Sequence, residues 1–159
     1  MIFVTLGTQG FSFDRLLRGL AALPPGEELI VQGGASSVRP PGAAWFDFLE
    51  YADLVEHIRA ARVVVSHAGV GTVLTAVREG KRPVVVPRLH RYGEAVDDHQ
   101  LAFGRRLAQA GFVTLVEDPA RLPEALAGAP EPPRPPSALS GGLVADLRDY
   151  LEGIAGHSM

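Results

Sequence analysis

The chain alternates between two spacings of apolar residues. Short apolar runs rich in β-branched and aromatic residues stand at 2–6, 29–31, 45–48, 63–65, 83–86 and 113–116, and each reads as a strand. Between them, apolar residues recur every three or four positions, as on one face of a helix. Phe13, Leu16, Leu17, Leu20 and Leu23 form one such face, with Ser12 as its expected N-cap and Pro24-Pro25-Gly26 as its stop. Leu54, Val55 and Ile58 point inward from a helix over 52–60, and Val70, Val73, Leu74 and Val77 define another that Gly80 ends. Further helices are predicted from about 95 to 110, near 119–127 and over 139–154, the last with Leu143, Leu147, Leu151 and Ile154 along one side.

Strands alternating with helices predict βαβ units and an open parallel sheet, an α/β doubly wound domain of five or six strands. Val63-Val64-Val65 has the unbroken apolar character of a strand covered on both faces. The expected organisation is one domain over 1–127, a Pro-rich linker over 128–138 and a C-terminal amphipathic helix and tail over 139–159.

Composition narrows the choice mainly by exclusion. The chain has 159 residues, 47% apolar and 21% charged, which suits one ordinary globular domain. A net charge of −3 argues against a nucleic-acid-binding protein. With no cysteine, a disulfide framework, a thiolate metal site and a cysteine nucleophile are excluded. Asparagine is absent too, and Lys81 is the only lysine among 15 basic residues, a skew read as codon bias of a GC-rich genome. The N-terminus opens on strand-like Ile2-Phe3-Val4 without a basic region, and no apolar stretch approaches the roughly 20 residues that span a bilayer. A cytoplasmic location is expected.

In an open α/β sheet, ligands bind beyond the carboxyl ends of the strands, and three unusual segments fall there. Gly7-Thr8-Gln9-Gly10 follows the first strand, Ser66 to Thr72 follows the buried valine strand, and Arg88 to Gln100 follows the strand at 83–86. Gly69 and Gly71 stand where strand turns to helix, so a diphosphate could approach the backbone and the free N–H groups of a first turn. A plain tight turn explains the same glycines. The dinucleotide fingerprint is not matched, since a third glycine and a later acidic residue are missing. Asp97-Asp98-His99-Gln100 has two readings as well. Acidic residues are favoured in a first turn by the helix dipole, whereas carboxylate and amide groups together suit the hydroxyls of a sugar. Arg88 and Arg91 stand at the ligand end and could face phosphate or an acidic sugar. Lys81 and Arg82 stand at the other end. The histidines show no metal-ligand spacing, and neither a nucleophile elbow nor a P-loop is present, so neither metal nor cofactor is expected.

Ser66-His67-Ala68-Gly69-Val70-Gly71-Thr72, followed by Asp97-Asp98-His99-Gln100, resembles the C-terminal, donor-binding domain of glycosyltransferase family 28. The likeness runs over about 1–117 and is greatest to stand-alone versions of that domain. These are the PssE-like exopolysaccharide transferase subunits and the catalytic subunit of the two-chain transferase that acts on dolichol-linked oligosaccharide. The resemblance implies one Rossmann-like half of a GT-B enzyme that transfers a sugar from a UDP-sugar, inverting and without metal. Gly7, Thr8, Gln9, Gly10, His67, Gly69, Val70, Gly71 and Thr72 would surround the diphosphate. Thr75 and Tyr51 would meet ribose and uracil, although relatives commonly carry an acidic residue at the position of Thr75. Glu94, Asp97, His99 and Gln100 would hold the transferred sugar. No catalytic base is identified. The implied partners are a lipid-linked sugar acceptor and a membrane-anchored acceptor-domain subunit, which would bring this chain to the cytoplasmic membrane face. The competing reading is a nucleotide-binding regulatory module without transferase activity. An oxidoreductase domain is disfavoured by the missing acidic residue after the second strand.

Overall fold

The structure, a computed structural model, describes residues 1–128. The linker beyond Gly128 and the expected helix over 139–154 lie outside the described residues. Six strands form one sheet: β1 (Ile2–Thr5), β2 (Leu29–Gln32), β3 (Ala44–Phe46), β4 (Val63–His67), β5 (Val84–Val86) and β6 (Thr114–Leu115). Every pairing is parallel, in the order β3-β2-β1-β4-β5-β6. That order grows outward in both directions from the β1–β4 pair, which places a crevice at the carboxyl ends of these two strands. The strands at the margins of the sheet are short, with three residues in β3 and two in β6.

Among the described residues, five α-helices cover the sheet: α1 (Asp14–Leu20), α2 (Tyr51–Ala60), α3 (Val70–Arg78), α4 (His99–Gln109) and α5 (Leu122–Leu126). The alternation of side chains along each strand decides which helix it meets. Ile2, Val4, Val63 and Val65 pack with Leu16, Leu17 and Leu20 of α1 and with Leu122 and Leu126 of α5. Phe3 and Val64 point the other way, toward Ile58 and Ala61 at the end of α2 and Ala76 of α3. On that second face Val85 joins Val73, Val77, Phe103 and Leu107. The consecutive valines of β4 are thus explained: each is buried, on alternating faces.

Two boundaries differ from expectation. Ser12 does not cap α1; the Phe13 N–H donates instead to Ser36 Oγ at 2.8 Å. The loop that brings Ser36 is held by Asp14, whose carboxylate accepts from the Ser37 and Val38 N–H groups and from the Ser37 hydroxyl. Partial burial acts to raise the Asp14 pKa, and those bonds outweigh it, so the carboxyl is held below its ordinary value. Helix α4 starts at His99, four residues later than expected. Residues 93–98 form a turn in which Gly93 has a φ of +70° and Val96 is 75% exposed.

Candidate functional site

The β1–β4 crevice holds a cavity of about 270 Å³, lined by Gly7, Thr8 and Gln9 on one side and His67, Gly69, Gly71 and Thr72 on the other. Its remaining wall includes Phe48, Leu49 and Leu54, beside the start of α2. Tyr51 begins that helix and is 61% exposed. A larger groove of about 910 Å³ lies at the opposite end of the sheet, against Ile2 and Leu29. Its charged residues Glu27 and Arg62 are bonded to each other, so it presents no comparable set of convergent polar groups.

Helix α3 runs directly out of β4 into this crevice. No side chain caps its N-terminus, so the first-turn N–H groups of Val70, Gly71 and Thr72 carry the helix's positive end toward the cavity. The Thr75 hydroxyl donates to Gly71 O at 2.8 Å. Its proton is therefore used within the helix, and only lone pairs remain for an external donor.

His67 is the centre of the site. Its side chain is almost fully buried, and Nε2 has no hydrogen-bond partner among the described residues. Burial, reinforced by the Arg88 guanidinium, pushes the imidazole pKa down to about 3 against the opposing bond from Gln100, so the ring is neutral. A buried donor or acceptor without a partner costs about 1–3 kcal/mol, which marks this nitrogen as a candidate contact for a bound group. Two glycines make room for the ring. A Cβ built on Gly7 would stand 2.5 Å from His67 Nε2, and one on Gly69 would overlap the ring at Cε1. Sequence reading took Gly69, with Gly71, as an opening for a ligand; the group that Gly69 and Gly7 admit is the histidine of the same site.

Gly69 and Gly71 therefore differ. Gly69 has an ordinary extended backbone, φ −81° and ψ 132°, so only the overlap opposes a side chain there. Nothing lies within 4 Å of a Cβ on Gly71. Gly69→Ala is expected to lose roughly 1–3 kcal/mol of stability from overpacking. Gly71→Ala should lose nothing and gain about 0.5–1 kcal/mol from helix propensity. Urea unfolding of the two variants side by side checks this.

The sugar-directed expectations divide. Glu94 is 2% exposed, and both of its oxygens are engaged: Arg15 donates to them at 2.7 and 3.0 Å, and the Leu89 N–H donates to Oε2. Gln100 is also buried, its Oε1 accepting from the Arg88 N–H at 3.1 Å and its Nε2 lying 3.3 Å from His67 Nδ1. Asp97 and His99 stand half-exposed at the start of α4, joined by an Nε2–Oδ2 contact of 3.1 Å. Asp98 turns its carboxylate to the His90 N–H.

Arg88 does not face the cavity, contrary to expectation. It is 1% exposed, its guanidinium donating to the carbonyls of Leu6, Phe11 and Glu94. It also lies over the Phe13 ring, 4.9 Å from the centroid. Burial lowers its pKa to about 10, with the Glu94 charge opposing, so it stays cationic at neutral pH. Gln32 was not singled out from sequence at all. It accepts from the Thr5 hydroxyl at 2.7 Å and donates to Gly7 O and Asp47 O, tying the β1 turn to the end of β3. Its only signal is a polar residue closing an apolar strand at the ligand end.

Among the described residues, no group of three or more His, Asp or Glu side chains is placed to hold a metal ion, and no helix is long and apolar enough to cross a membrane.

The family model of the glycosyltransferase family 28 C-terminal domain matches residues 1–136. A UDP-N-acetylglucosamine–N-acetylmuramyl-(pentapeptide) pyrophosphoryl-undecaprenol N-acetylglucosamine transferase of Rhodospirillum centenum is 30% identical over 115 residues, covering 67% of this chain and 29% of its own. The human UDP-N-acetylglucosamine transferase subunit ALG13 is 32% identical over 125 residues, 70% of this chain and 10% of its own. The calicheamicin glycosyltransferase CalG4 superposes with a TM-score of 0.58 at 17% identity, over 97% of this chain and 38% of that one. The chain thus spans well under half the length of each. At 17% identity the last likeness is one of fold, that of one Rossmann-like half of a GT-B glycosyltransferase.

Proposed function

The chain belongs to the glycosyltransferase family 28 C-terminal domain family, and from that premise we propose that it binds the UDP-sugar donor of an inverting transferase whose acceptor is held by a second chain. The observation that carries the proposal is the crevice between β1 and β4. An uncapped helix end and the unpartnered Nε2 of a buried neutral histidine meet there. Both are groups that a diphosphate completes. Gly7, Thr8, Gln9 and Gly10 form one wall of its site, and His67, Gly69, Val70, Gly71 and Thr72 the other. Uracil and ribose lie along Phe48, Tyr51 and Thr75. Asp97 and His99 are the groups left accessible for sugar hydroxyls, with Glu94 and Gln100 supporting the loop from beneath.

In the reaction, the acceptor hydroxyl oxygen attacks the anomeric carbon opposite the diphosphate, the bond from that carbon to the diphosphate oxygen breaks, and charge builds on UDP. The α3 terminus and the His67 N–H receive that charge, and a single donor so placed is worth roughly 2.7–4 kcal/mol of barrier. This is the basis for reading the transfer as metal-independent. His67 is not the base that takes the hydroxyl proton, because its Nδ1 lone pair is occupied by Gln100 and its other nitrogen faces the diphosphate. The names of the relatives support a UDP-sugar donor, a polyprenyl-linked acceptor and a subunit arrangement. A membrane-anchored partner would then place the chain at the cytoplasmic face, in polysaccharide or glycolipid synthesis.

A thermal-shift series with UDP, UDP-sugars and ADP-sugars tests the binding. A ligand at 100 times its Kd adds about 2.7 kcal/mol, which for a chain of this size raises Tm by about 5–10 °C. UDP compounds should do so and ADP-sugars should not; no shift with any UDP compound rejects the reading. Gly71→Ala, harmless to the fold, should weaken UDP binding by about tenfold where the backbone meets phosphate.

A further inference from the structure

We propose that Gln100 is a positioning residue that locks His67 in its Nε2–H tautomer, so that a neutral N–H donor always faces the diphosphate cleft. The inference rests on the donor-site reading for the identity of the ligand, and on geometry for the lock itself.

The orientation of the Gln100 amide follows from its partner. The Arg88 backbone N–H can only donate, so the atom 3.1 Å away must be the amide oxygen. The amide nitrogen is then the atom 3.3 Å from His67 Nδ1. An amide nitrogen only donates, so Nδ1 must present a lone pair, and the one proton of the neutral ring sits on Nε2. His67 is one of the residues lining the cavity, and Nε2, between Gly7 and Gly69, is its atom without a partner among the described residues. A chain of three donors thus runs from the Arg88 backbone through Gln100 and His67 to the ligand. A ring turned over about its Cβ–Cγ bond would put Cδ2 where Nδ1 now meets Gln100 and lose that bond, which holds the present orientation.

The same arrangement makes the donor indifferent to pH. Against the ring pack the turn after β1 at Gly7, the turn before α3 at Gly69, and Gln100 of α4, and these residues carry no charge. The charge that acts on it is the Arg88 guanidinium beyond β5, which opposes a second positive charge. A carboxylate at position 100 would reverse the arrangement. It accepts from the Arg88 N–H, but it can only accept from the ring, and so draws the proton to Nδ1 and leaves a lone pair on Nε2 facing phosphate.

The test is ¹⁵N NMR of the His67 ring in the full chain, paired with UDP titrations from pH 5 to 8. Reading affinity as the variant-to-wild-type ratio of Kd cancels the titration of UDP's own phosphate, whose second pKa is about 6. The wild-type ring should show an unprotonated Nδ1 and a protonated Nε2 throughout, with the Nε2 signal moving on UDP addition. In Gln100→Glu, Nδ1 should become protonated. Its Kd ratio should be about tenfold at pH 8 and shrink toward one at pH 5, where the ring gains its second proton and Nε2 donates again. Gln100→Leu, which removes the lock without adding charge, should give a mixture of tautomers and a ratio that does not follow pH in this way. A wild-type ring protonated on Nδ1, or mixed, overturns the relay. A ring locked on Nε2 in a chain that binds no UDP leaves the relay standing and rejects the donor-site reading instead. A Kd ratio for Gln100→Glu that is flat with pH overturns the link between the two.

Discussion

Replacing Arg88 with alanine is expected to cost about 3–5 kcal/mol, a large share of the roughly 5–15 kcal/mol that holds a domain folded. The guanidinium is 1% exposed and bonds three main-chain carbonyls: Leu6 at 2.7 Å, Phe11 at 2.9 Å and Glu94 at 3.2 Å. Two of these lie beyond β1 and the third beyond β5, so one side chain joins loops from separate strands. Without it the carbonyls lose their donors and a space opens beside Phe13. Glu94 itself would keep Arg15, which limits the damage to the Arg88 contacts. The midpoint of urea unfolding should fall by roughly 2 M. Arg88→Lys keeps the charge yet lacks the planar fork, and should recover only a small part. A midpoint within about 0.5 M of wild type in Arg88→Ala would show that the clamp is not what holds these loops.

Acidification between pH 7.5 and 5 is expected to remove about 2 kcal/mol through His67 alone. The folded ring resists protonation, with a pKa of about 3, because it is buried and near Arg88. The unfolded ring titrates at about 6.5. Below that value the unfolded chain binds a proton that the native chain does not, so stability falls as pH falls, by up to about 1.4 kcal/mol per pH unit until the folded pKa is reached. The carboxyls held low in the folded state, Asp14, Glu27 and Glu79, lose their contribution only as the pH drops through the ordinary carboxylate range, so the windows separate. Unfolding free energies across pH 5 to 7.5 should therefore slope in wild type and flatten in His67→Phe. An equal slope in both would show that another group carries it.

What the linear pattern reveals depends on how far away the deciding partner lies. The valines of β4 were legible because burial on both faces leaves an unbroken apolar run. Phe13, Leu16, Leu17 and Leu20 were legible because one helix face packs one core. Ser12 was misread as a cap because the actual acceptor, Ser36, arrives from 23 residues along the chain. The start of α4 was placed too early because Ala95 and Val96 continue the apolar pattern, whereas Gly93 adopts a left-handed turn before it. The same limit applies to chemistry. The crevice residues Gly7, Gly69 and His67 could be assembled from strand ends alone. Glu94, placed with the sugar by resemblance, and Gln100, placed there by its amide chemistry as well, turn to partners in the protein interior. Arg88 was read as facing the ligand because its acceptors Leu6 and Phe11 lie 82 and 77 residues away, where no local pattern points to them.

The brevity of the two marginal strands has a bearing on how this domain meets other proteins. A strand of another chain laid against β3 or β6 would find a ladder of three residues or two, too little to register a continuous sheet. Assembly by extending the backbone hydrogen bonding is thereby discouraged, and so is the strand-to-strand clumping that long open margins invite at high concentration. Recognition of this domain is thereby left to its side chains; of the exposed aromatic ones, Phe46 ends β3, and Phe11, Phe48, Tyr51 and Tyr92 stand in the segments and the first turn of α2 that follow the carboxyl ends of the strands.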